Sequence, residues 1–170
     1  MRRYPLGIWA GIVFSLALCA SALYWDASRV SFSPDSVWAT GEQLDAEYHK
    51  AQSRLDLPEG VEWPEAPPFP AMAPDGARYS YGAGLGTEYA EWCWFDAWAR
   101  CAVSASEPTA TRSVAVERLP DFYEMTAFES ATTSEYFTRV IAAAQNGDLT
   151  GLREYVDSVE SAKSATVTEE

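Results

Sequence analysis

The chain has 170 residues, of which 25 are acidic and 12 are basic, so its formal net charge is −13 at pH 7. All 25 acidic residues but only ten basic ones follow residue 25, and the remaining 145 residues therefore carry −15. This excess of negative charge disfavours nucleic acid and anionic lipid as partners.

The first 25 residues predict a membrane-spanning helix. Arg2 and Arg3 precede a run of 22 residues, from residue 4 to residue 25, that contains no formal charge. As a helix that rises about 1.5 Å per residue, the run is about 33 Å long and crosses a hydrocarbon core of about 30 Å. The two arginines place the N-terminus in the cytoplasm. The sequence thus predicts an integral, single-pass protein of the cell membrane with an uncleaved signal-anchor.

A cleavable signal peptide is the alternative interpretation of this segment. Ala20, Ser21 and Ala22 form a small-x-small site, and cleavage near Ala22 would yield a secreted protein. However, the apolar run is longer than the roughly 7–15 residues of a signal peptide core. It also continues into Tyr24 and Trp25, whose aromatic side chains suit a membrane interface. Both features favour the anchor.

Small residues recur at every fourth position of the predicted span. Such a stripe lets two helix backbones approach closely, and its first two members match the G-x-x-x-G pattern of paired membrane helices. It is a candidate surface for a homo-oligomer or for a membrane-protein partner. Because glycine is common in membrane helices, a chance alignment is the alternative. The stripe consists of Gly7, Gly11, Ser15 and Cys19.

Residues 26–56 predict a juxtamembrane amphipathic helix. Ser33 or Asp35 is its candidate N-cap, because short polar side chains accept hydrogen bonds from the first free amides of a helix. Apolar residues at helical spacing define its buried face. They are Leu44, Tyr48, Ala51 and Leu55.

Residues 57–80 predict an extended, proline-rich strap. Six prolines between residues 58 and 74 exclude a helix and a central strand, and favour polyproline II in part. Apolar side chains such as Val61, Trp63 and Phe69 alternate with these prolines. They indicate that the strap lies on the helices of its own domain, and the alternative is a proline-rich ligand for a foreign module.

Residues 81–160 predict an aromatic-rich helical core. Gly82, Gly84 and Gly86 precede a helix expected from residue 88 to about residue 105. Their spacing matches neither phosphate-binding fingerprint, so we interpret them as a flexible lead-in that passes close to other backbone. The helix is apolar on almost every side and therefore belongs in a core. Asp96 and Arg100, four residues apart, form its narrow charged stripe.

Tryptophans of this helix suggest an alternative function for the domain. Trp92, Trp94 and Trp98 lie in the helix and Trp63 lies in the strap. An aromatic cleft between them would bind a small apolar or sugar ligand.

The two cysteines of this helix are predicted not to bond to each other. Cys93 and Cys101 are eight residues apart, which is about 12 Å along a helix and too far for a disulfide. We expect them to be buried thiols or to pair between chains.

The C-terminal part of the core predicts three more helical segments. Residues 104–113 are expected to be a polar break. Residues 114–128 could begin as a strand or as a helix and are interpreted as helix, with Pro120 suited to the first turn of a new helix. A second helix begins at Thr133 or Ser134 and ends at Asn146 and Gly147, a third begins at Asp148, and residues 161–170 are a flexible tail. Residues 142–156 resemble the helix-turn-helix of an ankyrin repeat. No second copy follows, so the resemblance implies a helical hairpin and not a repeat array.

Catalytic signatures are missing from the sequence. It contains no H-E-x-x-H, G-x-S-x-G or P-loop pattern, and His49 is its one histidine. We therefore predict no catalytic residue, no cofactor and no metal site. The expected protein is mostly α-helical, with a transmembrane helix followed by a small extracytoplasmic domain, and acts as a non-catalytic interaction or accessory protein. The alternative is a secreted or tethered binding module with the aromatic cleft.

Overall fold

A computed structural model describes residues 38–65 and 69–167, with side chains as far as residue 162. This part of the chain is mostly helical, as predicted. No helix within it is both long enough and apolar enough to cross a membrane. The predicted span at residues 4–25 and its stripe of Gly7, Gly11, Ser15 and Cys19 lie outside the described residues.

Six α-helices, one 3₁₀ helix and two short strands make up the regular structure of these ranges. The strands pair antiparallel, with Trp38 opposite Gly82 and Ala39 opposite Tyr81. In chain order the elements are β1 (Trp38–Ala39), α1 (Gly41–Gln52), β2 (Tyr81–Gly82), α2 (Leu85–Val103), α3 (Thr109–Arg118), the 3₁₀ helix (Leu119–Glu124), α4 (Thr126–Ser130), α5 (Ser134–Gln145) and α6 (Thr150–Val167).

Helix α1 begins at Gly41 because Thr40 caps it. The Oγ1 atom of Thr40 accepts a hydrogen bond from the Gln43 amide at 3.3 Å, and Oε1 of Gln43 accepts one from the Thr40 amide at 2.8 Å. This reciprocal capping box satisfies two amides at the helix start. The predicted apolar face is confirmed for Leu44, Tyr48 and Ala51, which are buried, whereas Leu55 lies beyond the helix end at Gln52 and is partly buried. The cap of this helix is Thr40; the predicted caps Ser33 and Asp35 lie outside the described residues.

Trp63 and Phe69 of the proline-rich strap pack against the domain as predicted, whereas Val61 is 44% exposed and does not. Among the described residues of the strap, β-type backbone pairing is limited to an antiparallel bridge between Met72 and Arg78. Burial raises the pKa of Tyr48 to about 12, so its hydroxyl remains a hydrogen-bond donor at neutral pH. Two tyrosines donate to strap carbonyls, Tyr48 Oη to Pro64 at 2.7 Å and Tyr81 Oη to Pro70 at 2.8 Å. Trp98 Nε1 donates to the carbonyl of Asp56, directly before the strap, at 3.0 Å.

Helix α2 lies at the centre of the domain and contacts α1, α3, α4, α6 and the 3₁₀ helix. Ten of its 19 residues are buried, so the prediction that it belongs in the core is confirmed. Phe95 packs against Phe122 of the 3₁₀ helix, with ring centroids 4.5 Å apart, and against Phe137 of α5 at 5.3 Å. Tyr155 of α6 meets the same ring at 5.3 Å. Aromatic contacts therefore join four elements around one side chain.

The segment between α2 and α5 differs from its prediction. Helix α3 begins at Thr109, inside the stretch expected to be a polar break, because Pro108 with φ of −55° sets up the helix start. Residues 114–128 then divide among α3, the 3₁₀ helix and α4, so their helical character is confirmed, and the new helix expected at Pro120 is a 3₁₀ helix. Pro120 lies in the first turn of the 3₁₀ helix, where its missing N–H costs no hydrogen bond.

Helices α5 and α6 form the predicted hairpin. Gly147 between them has φ of 88°, the left-handed conformation that glycine adopts without strain. Oδ1 of Asp148 accepts a hydrogen bond from the Thr150 amide at 3.0 Å and caps α6. Helix α6 continues to Val167, past residue 161, where the flexible tail was expected to begin.

Candidate functional site

The tryptophans of the predicted cleft are largely core side chains. Trp94 and Trp98 are 1% and 7% exposed, and their ring centroids lie 6.2 Å apart. Arg118 covers Trp98 from outside, with its guanidinium carbon 5.6 Å from the ring centroid. These two rings are thus closed off by the protein itself.

Trp63 and Trp92 contact different parts of the domain. Trp92 packs against Phe122 at 5.0 Å and Phe137 at 5.1 Å between ring centroids, whereas Trp63 meets the edge of Tyr48 at 6.3 Å. The structure therefore does not bring Trp63, Trp92, Trp94 and Trp98 into one open cleft. A step of two residues along α2 turns a side chain by about 200°, which separates Trp92 from Trp94.

An open depression of about 300 Å³ lies between β1 and α1, away from those four tryptophans. Trp38, which is 38% exposed, forms part of its wall. Glu47 and Lys50 of α1 line it as well, so its surface combines one aromatic side chain with both signs of charge. Sequence reasoning missed this feature because its lining brings residues 38–50 together with Ala83, more than 30 positions further along the chain.

The glycine-rich loop before α2 binds a carboxylate of the same chain. The Gly84 amide donates to Oε1 and Oε2 of Glu47 at 3.1 and 3.0 Å, and the Gly86 amide donates to Oε2 at 3.2 Å. Gly84 has φ of 93°, which lets its amide turn towards α1. The amides that an anionic ligand would use are thus occupied by Glu47.

Gly86 brings α2 against the backbone of α1. A Cβ atom at this position would collide with the Leu44 carbonyl oxygen and lie 2.9 Å from Cβ of Glu47. The sequence-based expectation that the loop passes close to other backbone is therefore confirmed. The interpretation of the loop as a flexible lead-in is wrong, because both carboxylate oxygens of Glu47 hold the loop in place.

We expect Glu47→Ala to lower the free energy of unfolding by about 1–3 kcal/mol, because two part-buried amides lose their acceptor. Urea denaturation followed by far-ultraviolet circular dichroism measures this change. Glu62→Ala is the matched control, since it removes the same charge from an exposed strap position. Equal effects of the two substitutions would contradict the role assigned to Glu47.

A pair of carboxylates lies between α2 and α4. Oε2 of Glu91 accepts a hydrogen bond from the Ala127 amide at 2.8 Å, and Oε2 of Glu88 accepts one from the Ser130 hydroxyl at 3.0 Å. Glu91 is only 9% exposed. Burial raises the pKa of both carboxyl groups, and repulsion by Glu88 adds to the rise in the pKa of Glu91.

The charged stripe of α2 joins this helix to α6. Nε of Arg100 donates to Oδ2 of Asp96 at 2.9 Å, as the spacing of the two residues predicted. Nη1 of Arg100 also binds the carboxylate of Glu160. The pair thus has a structural partner on the neighbouring helix.

The potential metal ligands of the described residues are dispersed. Cys93 and Cys101 both lie in α2 and form no disulfide with each other, as predicted. His49 is exposed on α1, where its Nδ1 lies 2.8 Å from Oε1 of Gln52. Within residues 38–65 and 69–167, no three histidine, cysteine, aspartate or glutamate side chains converge as a candidate metal site.

The chain matches no protein family model, no curated protein and no solved structure. A proposal about its function therefore depends on the residues and geometry described above.

Proposed function

We propose that the chain is a single-pass membrane protein whose acidic, helical domain lies outside the cytoplasm and acts as a non-catalytic interaction or accessory module. The uncharged run at residues 4–25, preceded by Arg2 and Arg3, supports the anchor. Strand β1 begins at Trp38, and twelve residues separate it from Trp25. A linker of that length reaches at most about 40 Å, so the domain would lie close to the membrane.

The interaction role is supported by the partners of the polar side chains inside the domain, which bind the backbone of other segments of the chain. Glu47 and Glu91 bind backbone amides, while Tyr48 and Trp98 bind backbone carbonyls. A catalytic or ligand-binding pocket commonly directs such groups into open space. Here they join one segment of the chain to another, which supports a domain that works through its outer surface.

Exposed acidic residues in the first half of the strap, together with Asp56 directly before it, support a partner with a basic surface. Acidic residues occur at every third position from residue 56 to residue 65, and all four are exposed. Asp56 retains 78% of its side-chain exposure even though it pairs with Arg118 at 2.8 Å. Negative charge of this kind favours and steers encounters with basic partners. The four residues are Asp56, Glu59, Glu62 and Glu65.

The anchor is tested by fractionation of the full-length chain and by identification of its N-terminal residue. We expect the protein to remain in carbonate-washed membranes with Met1 or Arg2 intact, and a C-terminal tag to be cut by protease added outside the cell. Leu16→Arg, which places a charge near the centre of the span, should release the protein or block its insertion. Val30→Arg adds the same charge outside the span and should change nothing. A chain that begins at Leu23 in the medium would contradict the anchor.

The interaction role is tested by co-purification of membrane proteins with the full-length chain in mild detergent. Glu59→Lys, Glu62→Lys and Glu65→Lys together should remove a specific partner. Glu117→Lys, Glu124→Lys and Glu154→Lys change the net charge equally at exposed positions elsewhere and should retain that partner. No co-purifying partner, combined with a tryptophan fluorescence shift on addition of an apolar compound or a sugar, would favour the binding-module alternative.

A further inference from the structure

We propose that Asn146 is a self-modification site: when the hairpin between α5 and α6 opens, this side chain converts irreversibly to aspartate or isoaspartate, and the closed hairpin suppresses the reaction. Asn146 is the one asparagine of the chain, and a glycine follows it. Because Gly147 has no side chain, its backbone nitrogen reaches the asparagine side chain with little steric hindrance. The proposal does not depend on the membrane anchor or on a partner.

The reaction requires only the chain, a base of the solvent and water. The Gly147 nitrogen gives its proton to the base and attacks Cγ of Asn146, and a cyclic succinimide forms as the bond between Cγ and Nδ2 breaks. Nδ2 takes up a proton and leaves as ammonia. Water then opens the ring at one of its two carbonyl groups, which yields aspartate or isoaspartate. Nothing is oxidised or reduced.

The closed hairpin keeps the attacking nitrogen away from its target. Asn146 has ψ of 9°, so the Gly147 nitrogen eclipses the Asn146 nitrogen and not its Cβ atom. The Gly147 amide donates to the Ala144 carbonyl at 2.9 Å, and Nδ2 of Asn146 donates to the Ala142 carbonyl at 2.8 Å. Both the nucleophile and the leaving group are therefore held on the last turn of α5. Because Asn146 is exposed to solvent, this geometry suppresses the reaction and exclusion of water does not.

The turn that imposes this geometry depends on the start of α6. The Asp148 amide donates to the Ala143 carbonyl at 3.0 Å, which together with the Gly147 amide completes a Schellman motif. Oδ1 of Asp148 in turn accepts the Thr150 amide at 3.0 Å. When α6 detaches, these bonds are lost and ψ of Asn146 can rotate. The Gly147 nitrogen then reaches Cγ.

Neither product restores the closed hairpin. An ionised carboxylate accepts hydrogen bonds only, so it cannot replace the donor that Nδ2 provides to Ala142. Its negative charge also lies at the C-terminus of α5, where the helix dipole disfavours it. Isoaspartate in addition lengthens the main chain and shifts Gly147 relative to its acceptor. The modified hairpin therefore holds α6 less firmly, and this weakens the contact of Tyr155 with Phe95.

Mass spectrometry of the full-length chain, incubated at mildly alkaline pH and then digested, tests the site. The conversion of Asn146 and the isoaspartate content are followed over time in buffer and in guanidinium chloride. We expect Asn146 to convert in the denaturant and to convert at least about tenfold more slowly in buffer, because the reaction there waits for the hairpin to open.

Asp148→Ala tests the control of the reaction by α6. It removes the acceptor of the Thr150 amide and should accelerate conversion in buffer about fivefold, as the loss of a helix cap predicts. Asp75→Ala is the matched control, since Oδ1 of Asp75 accepts the Ala77 amide at 3.0 Å in the strap. Each rate is divided by the rate of the same variant in denaturant, which removes the effect of neighbouring side chains on the chemistry.

Three results would overturn the proposal. They are an unmodified Asn146 in denaturant, equal rates in buffer and in denaturant, and equal corrected rates in Asp148→Ala and Asp75→Ala. If Asp148→Ala does not fold, wild-type protein in low concentrations of guanidinium chloride provides the measurement, because the rate should rise as the hairpin opens. Asn146→Asp reproduces one product, and its Gly147 amide should exchange hydrogen faster than that of the wild type. Equal exchange would contradict the loosening of the modified hairpin.

Discussion

Gly86→Ala is expected to lower the free energy of unfolding by about 3 kcal/mol, the upper end of what overpacking usually costs. The added methyl group would meet the Leu44 carbonyl oxygen, which belongs to the backbone of α1 and cannot rotate away. This clash is relieved only if α1 and α2 move apart, and that movement would also lengthen the hydrogen bonds between Glu47 and the glycine amides. Guanidinium denaturation of the full-length chain, followed by circular dichroism, measures the change.

Gly82→Ala is the matched control for this substitution. A Cβ atom at Gly82 would have no neighbour within 4 Å, and the residue does not adopt a left-handed conformation. We expect a change of less than about 0.5 kcal/mol in this variant. If Gly86→Ala were as stable as Gly82→Ala, the close approach of the two helices would be contradicted.

Phe122→Ala is expected to cost about 3–5 kcal/mol, the range measured for the loss of a large aromatic side chain from a core. Phe122 is wholly buried, and its ring contacts Trp92, Phe95, Phe128 and Phe137. The cavity would be surrounded by other aromatic rings, which cannot collapse into it easily. Thermal and urea unfolding of the full-length chain provide the measurement.

Val114→Ala serves as the control for Phe122→Ala, because Val114 of α3 is 49% exposed. Its loss of two methyl groups should change the stability by less than about 0.5 kcal/mol. A small effect of Phe122→Ala, similar to that of the control, would mean that the 3₁₀ helix is not part of the core.

The helices predicted best from the sequence are those with strong local signals. In α1, Leu44, Tyr48 and Ala51 recur at helical spacing, and all are buried. The hairpin between α5 and α6 was marked by Asn146 and Gly147, a pair that suits a left-handed turn. Such signals act over a few residues and require no knowledge of the rest of the fold.

The helical boundaries near Pro108 and Pro120 were harder to predict. Ser104 to Ser113 is polar, yet α3 starts within it because Ala115 and Leu119, further along, are drawn into the core. Tertiary packing overrides local polarity in such a segment. A pattern of apolar residues also cannot distinguish a closed core from an open cleft. The sequence alone therefore does not show that Trp94 and Trp98 lie inside the core and not at a binding surface.

The carboxylate contacts could not be predicted from local spacing. Glu47 binds amides 37 and 39 residues further along the chain, and Glu91 binds an amide 36 residues away. The donors are backbone amides, which every residue except proline offers and which leave no mark in a sequence. Glu47 and Glu91 are two of 25 acidic residues, and no motif in their flanking sequence separates them from the others.

The attachment of the strap has a consequence for how its sequence can change. Tyr48 and Tyr81 bind main-chain oxygens of the strap at residues 64 and 70, and Trp98 binds that of Asp56, directly before the strap. A carbonyl is present whatever the side chain, so these three bonds do not select the residues that they hold. The strap can therefore exchange its outward acidic side chains in related sequences while it keeps the same path, whereas the two tyrosines and the tryptophan have no equivalent substitute.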